Sequence, residues 1–161
     1  MKTLYREEIE RLYLQMFSLL FEYARSSLPN NSLAEEAVQE TFRIACQKPE
    51  ALCSSPNPEG WLVNTLKYVI CNMERSRNIA MRILRGYFAT NITELTTSTD
   101  RIGVEILYDD IADTEEFKLL KELAIDRRSY LEMAESRNIS IDTCRKRVQR
   151  AKEKLRRKIQ L

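Results

Sequence analysis

SYLEMAESRNISIDTCRKRVQRAKEKL, residues 129 to 155, reads as one helix, a tight turn and a second helix that carries the basic residues. Ser129 and Glu132 have the spacing of a capping box, in which a hydroxyl accepts from an orphan backbone N–H at the helix start. Asn138 tolerates the left-handed conformation that a sharp turn demands. Ser140 can cap the second helix, and Asp142 suits its positive end. In that helix Ile141, Cys144, Val148, Ala151 and Leu155 recur at helical spacing, which turns Asp142, Arg145, Lys146, Gln149 and Arg150 away from the packed side. One face is built to pack and the other to enter a major groove.

The charge distribution sharpens this expectation. Residues 127 to 161 hold twelve Lys and Arg against four acidic residues, whereas residues 1 to 126 hold fourteen against twenty, so a formal net charge of +2 hides a polarised chain. A basic C-terminal module fits a polyanion, and the acidic remainder argues against nonspecific coating of nucleic acid by the whole molecule.

A chain of 161 residues is one or two small domains. With 31% charged residues, no apolar run of membrane-spanning length and acids scattered through MKTLYREEIERLYLQMF, neither a membrane span nor a signal peptide is expected, which places the protein in the cytoplasm. Three glycines, four prolines and no run of alternating apolar and polar residues predict an all-α fold. The four cysteines, Cys46, Cys53, Cys71 and Cys144, include no CxxC pair, and the chain has no histidine. Buried reduced thiols are therefore expected rather than a metal site. The missing histidine removes the commonest general base, and no glycine-rich phosphate loop is present, so neither an enzyme nor a cofactor is expected.

Along the chain, residues 4 to 28 predict a helix that ends at Leu28-Pro29-Asn30-Asn31. Ser32 and Glu35 have capping-box spacing before LAEEAVQETFRIACQK, whose apolar stripe is Ala34, Ala37, Val38, Phe42 and Ala45, with Thr41 among them. Its other face is Glu36, Gln39, Glu40 and Arg43. PEALCSSPNPEG reads as a loop, after which Asn57 caps and Pro58 opens a third helix. Leu62, Leu66, Val69, Ile70 and Met73 form the packed stripe of that helix, and Asn64, Lys67, Tyr68, Asn72 and Arg75 form its far side. Amides can pair with base edges, an aromatic ring can stack on an unpaired base, and cations can meet phosphates. Arg77, Arg82 and Arg85 extend the basic character. FATNITELTTSTDRIGVEILYDDIAD, residues 88 to 113, has weak periodicity and reads as a linker between an N-terminal helical domain, residues 1 to 87, and a C-terminal helix-turn-helix domain, residues 114 to 161.

This arrangement resembles the short, two-domain bacterial RNA polymerase sigma factors of the extracytoplasmic-function type. AEEAVQETF is similar to the helix by which that family docks on the polymerase clamp, and NPEGWLVNTLKYVICNMERSR to its promoter-melting segment. Residues 129 to 155 resemble its helix-turn-helix. The resemblance implies a nonenzymatic specificity subunit that binds core RNA polymerase, directs it to promoters and assists opening of the duplex. Carried over by position, Glu36, Gln39, Glu40 and Arg43 would face the clamp. Asn64, Tyr68 and Asn72 would face the proximal promoter element, with Lys67, Arg75 and Arg77 nearer its phosphates, and the loop carrying Ser54, Ser55 and Asn57 would help hold a flipped base. Asp142, Thr143, Arg145, Lys146, Gln149 and Arg150 would meet the distal element. A polymerase-flap contact through Asp113 to Leu123 and an anti-sigma partner are compatible with the same resemblance.

The chain departs from that family at several positions. Arg137 stands where an aliphatic residue is usually buried, Arg127 and Arg128 replace a glycine and an apolar residue, and Asp142 replaces a glycine. An unpaired buried charge is costly, so Leu131 is a candidate to turn inward in place of Arg137. The rival expectation is a stand-alone helix-turn-helix regulator whose N-terminal half is an interaction domain.

Overall fold

A computed structural model of the protein describes residues 2–96 and 114–159. The described residues form seven helices and no strand: α1 (Lys2–Ser27), α2 (Asn31–Gln47), α3 (Pro49–Cys53), α4 (Pro58–Thr96), α5 (Glu115–Ala124), α6 (Tyr130–Arg137) and α7 (Ile141–Lys158). No helix among the described residues is long and apolar enough to cross a membrane. The chain divides into two compact units, Met1–Glu74 and Arg75–Leu161, so α4 contributes its first part to one unit and its remainder to the other.

The first unit is built on a small-residue seam. Ala34, Ala37, Val38 and Ala45 of α2 are fully buried, as are Leu20 and Ala24 of α1 and Leu62 and Leu66 of α4. Side chains this short let helix backbones approach closely, and the larger Leu and Phe residues fill the space that remains. Tyr13 meets Phe42 edge-on with ring centroids 4.9 Å apart, a favoured aromatic geometry. Thr41 is buried without cost because its Oγ1 donates to the Ala37 carbonyl at 2.8 Å.

Two local expectations differ from the structure here. The α2 cap is Asn30, whose Oδ1 accepts from Leu33 N at 2.8 Å, so Ser32 lies inside the helix. Asn30 follows Pro29 in extended backbone, the geometry that a cap requires, and this cap lies two residues before Ser32. PEALC is the short helix α3 rather than a loop: Pro49 occupies its first turn and Leu52 is fully buried. The Asn57 cap is present, with Oδ1 accepting from Gly60 N at 3.0 Å. A Cβ at position 60 would fall 2.6 Å from Asn57 Nδ2, so glycine permits this close cap.

The second unit packs the later part of α4 against α5, α6 and α7. Ala80, Ile83, Leu84 and Tyr87 join a core with Phe117, Leu120, Met133, Cys144, Val148 and Leu155. Their i, i+3, i+4, i+7 spacing is a helical stripe. Residues 75 to 87 thus pack with the C-terminal helices, whereas the sequence places a domain boundary after residue 87. Residues 88 to 96 of the expected linker continue α4, and its residues 97 to 113 lie outside the described residues.

Arg137 does not strand a charge in this unit. Its two terminal nitrogens donate to Glu122 Oε2 and Oε1, each at 2.9 Å, and its Nε donates to Glu115 Oε1 at 2.7 Å. Arg128 also reaches Glu122 at 3.1 Å. The hydrogen bonds from Arg137, joined by the Arg128 charge, hold the Glu122 carboxyl below the usual carboxylate range against the opposing effect of burial. Leu131 remains 37% exposed, so the ion network and not a rotated helix accommodates the arginine. Arg127 lies at φ 55°, the left-handed region that glycine would occupy without strain.

Candidate nucleic-acid interface

The connection between α6 and α7 is set by side chains close in sequence. Ser129 Oγ accepts from Glu132 N at 3.2 Å, and Ser140 Oγ accepts from Thr143 N at 3.1 Å. Between these caps Asn138 adopts φ 53°, ψ 47°, and Ile139 N bonds back to the Ala134 carbonyl at 3.1 Å. The left-handed residue reverses the chain while the last carbonyls of α6 remain satisfied. Asn138→Ala should therefore cost about 1 to 2 kcal/mol and Asn138→Gly much less. Urea unfolding checks this, and equal stability of the alanine variant and the wild type would remove the turn's special role.

Buried Cys144, Val148, Ala151 and Leu155 fix the rotation of α7. Asp142, Thr143, Lys146, Gln149 and Arg150 are consequently exposed, and Arg147, absent from the expected set, is exposed beside them. Arg145 is half-buried, with its guanidinium carbon 5.4 Å from the centre of the Tyr130 ring. A guanidinium over an aromatic face is attracted to the ring's negative face, which orients the side chain. This cross-helix pairing has no signature in the spacing of either helix. Lys154 is drawn toward α5, where it bonds Glu116 at 2.7 Å.

In the first unit, α4 presents Asn64, Lys67 and Tyr68 to solvent, with Asn72 half-buried on the same side. Tyr68 is 62% exposed, so its ring is open to solvent. Lys67 Nζ stands 5.9 Å from the centre of the Tyr23 ring, adding an α1 residue that helical periodicity in α4 does not reveal. In the loop before α4, Ser54 and Asn57 are exposed, and Ser55 Oγ accepts from Asn57 N at 3.2 Å. This bond and the Asn57 cap tie the loop to the start of the helix that carries Asn64 and Tyr68.

Arg75 and Arg77 belong to the second unit. Arg75 is exposed, but Arg77 is half-buried and donates to the Ala124 carbonyl at 3.2 Å. On α2, Gln39 and Arg43 are exposed and Glu36 and Glu40 half-buried, with Arg43 Nε donating to Glu40 Oε2 at 2.7 Å.

The cysteines correct the sequence expectation in part: Cys144 is buried, whereas Cys46 and Cys71 are exposed and Cys53 is intermediate. Burial pushes the Cys53 thiol above its ordinary range. Helical period alone did not separate these positions, because Cys46 and Cys71 each follow a buried residue by one place. No group of three or more metal-ligating side chains gathers among the described residues. No protein-family model matches the chain, and no curated protein or solved structure matches it.

Proposed function

We propose that the protein is a sigma-type specificity subunit that binds core RNA polymerase, directs it to promoters and assists opening of the duplex. The observation that carries this reading is the presence of two exposed faces of different chemistry on two separate units. The Asn64–Tyr68 face of α4 offers an open ring and an amide, which suit an unstacked base. The face of α7 offers Lys146, Gln149 and Arg150 on a capped helix after a left-handed turn, as a helix-turn-helix would present them to a duplex. A protein that both recognises a duplex and captures a displaced base has use for both faces.

Within this reading α2 docks on the polymerase clamp through Glu36, Gln39, Glu40 and Arg43. Charge reversal at such a surface raises a like-charge cost, so Glu36→Lys with Gln39→Ala should weaken core association by at least roughly tenfold without unfolding the protein. Pull-down at wild-type strength would remove α2 from the interface. At the distal element, Arg150→Ala should lose about 1 to 3 kcal/mol of discrimination at one base pair. Selection from a randomised duplex pool measures it, and an unchanged preference would remove Arg150 from base recognition. Run-off transcription with core polymerase and a genomic template library tests the function itself. Discrete, protein-dependent start sites are expected, and their absence would overturn the proposal.

A further inference from the structure

Residues 75 to 90 hold four arginines and no acidic residue. Arg77 is occupied by the Ala124 carbonyl, but Arg75, Arg82 and Arg85 are exposed and form no hydrogen bond or ion pair among the described residues. At 3.6 residues per turn these three fall within an arc of about 80° and span roughly 15 Å along the axis. They lie opposite the buried stripe of Ala80, Ile83, Leu84 and Tyr87, which fixes the helix against its neighbours and turns the arginines outward.

This part of α4 runs alongside α7 in the same direction. Ser76 Oγ receives a 2.8 Å hydrogen bond from Lys152 Nζ, and ten residues later a Cβ at Gly86 would stand 3.1 Å from Ile159 Cδ1. Lys152 is only 9% exposed and has no carboxylate partner among the described residues. Burial, and to a lesser extent the nearby Arg156 charge, lower its pKa. Packed helices lie about 8 to 10 Å apart, and the major groove is about 12 Å wide. A helix at that distance, flanking one seated in the groove, is close enough for arginine side chains to reach the phosphates that wall it.

We infer that Arg75, Arg82 and Arg85 form a second duplex-DNA contact, sequence-independent and directed at the phosphate backbone beside the groove that α7 enters. This rests on the reading of α7 as the groove-facing helix. Such a contact releases counterions and fixes register while leaving base preference to α7.

The test uses the full-length chain with Arg82→Gln and Arg85→Gln together, titrated with a duplex carrying its selected site across roughly 50 to 200 mM salt. Each lost phosphate contact lowers the slope of log affinity against log salt by about 0.9, so the double variant should lose about 1.8 and keep its sequence preference. Arg82→Lys with Arg85→Lys should restore the slope. An unchanged slope while Arg150→Ala still alters preference overturns the second contact and leaves the α7 reading standing. Silence of Arg150→Ala and Lys146→Ala, with the slope still reduced, overturns the α7 placement and with it the location beside the groove. A loss as large on a single-stranded RNA of equal length overturns the assignment to duplex DNA.

Discussion

Arg137→Ala should lower the stability of the protein by about 2 to 4 kcal/mol, seen as a shift of several degrees in the unfolding of the second unit. The Arg137 side chain is 13% exposed and that of Glu122 18%, and they meet through two parallel hydrogen bonds, the geometry in which guanidinium and carboxylate are best matched. Removing the arginine leaves Glu122 largely desolvated with only Arg128 beside it, and most of the cost is that stranded charge. Arg137→Leu should therefore also fail, although it restores the aliphatic residue that the resembled family has there. Adding Glu122→Leu should recover most of the loss, since apolar replacement of a whole buried pair is often close to neutral.

The same network predicts a pH dependence with a definite sign. Glu122 has a folded-state pKa depressed chiefly by the hydrogen bonds from Arg137. Its contribution is therefore fully present above the ordinary glutamate range and is lost as pH falls through and below that range. Glu122→Gln should flatten the acid limb of the melting-temperature profile. A wild-type melting temperature in Arg137→Ala, or an unaltered acid limb in Glu122→Gln, would show that the network does not hold α5 and α6 together.

What could be read from the residues divides according to the range of the interactions involved. Ser129, Asn138 and Ser140 were legible because each acts on a backbone group within four positions. The α7 stripe followed from the helical period. Arg137 was not legible, because its partners are 15 and 22 positions away on another helix. Ala80, Ile83, Leu84 and Tyr87 have an equally clear period, yet period says only that a face is packed, never against what. The domain boundary after residue 87 rests instead on the weak periodicity that begins at residue 88, whereas the compact units divide after Glu74. At the candidate site, the exposure of Asn64, Tyr68, Lys146 and Arg150 followed from periodicity, whereas the Tyr130 ring beneath Arg145 and the Tyr23 ring beneath Lys67 required the fold.

On the proposed sigma-type function, Asn64→Ala combined with Tyr68→Ala should reduce promoter opening by roughly 30- to 1,000-fold while sparing association with core polymerase. An aromatic ring stacked on a base contributes about 1 to 3 kcal/mol, and a hydrogen bond from an amide adds about 1. A combined loss of about 2 to 4 kcal/mol converts to that range at 1.4 kcal/mol per factor of ten. The energy matters at this step because extruding a base from the duplex costs a few kcal/mol, so capture of the base decides whether the open state is populated. Asn64 and Tyr68 are both exposed and lie one turn apart, so their removal should leave the core around Leu62 and Leu66 intact. Tyr68→Phe keeps the ring and should retain most of the opening. Permanganate reactivity of unpaired thymines, measured with core polymerase and each variant, reads this directly. Reactivity of the double variant equal to wild type, or an equal deficit in Tyr68→Phe, would exclude stacking on Tyr68 as the means of base capture.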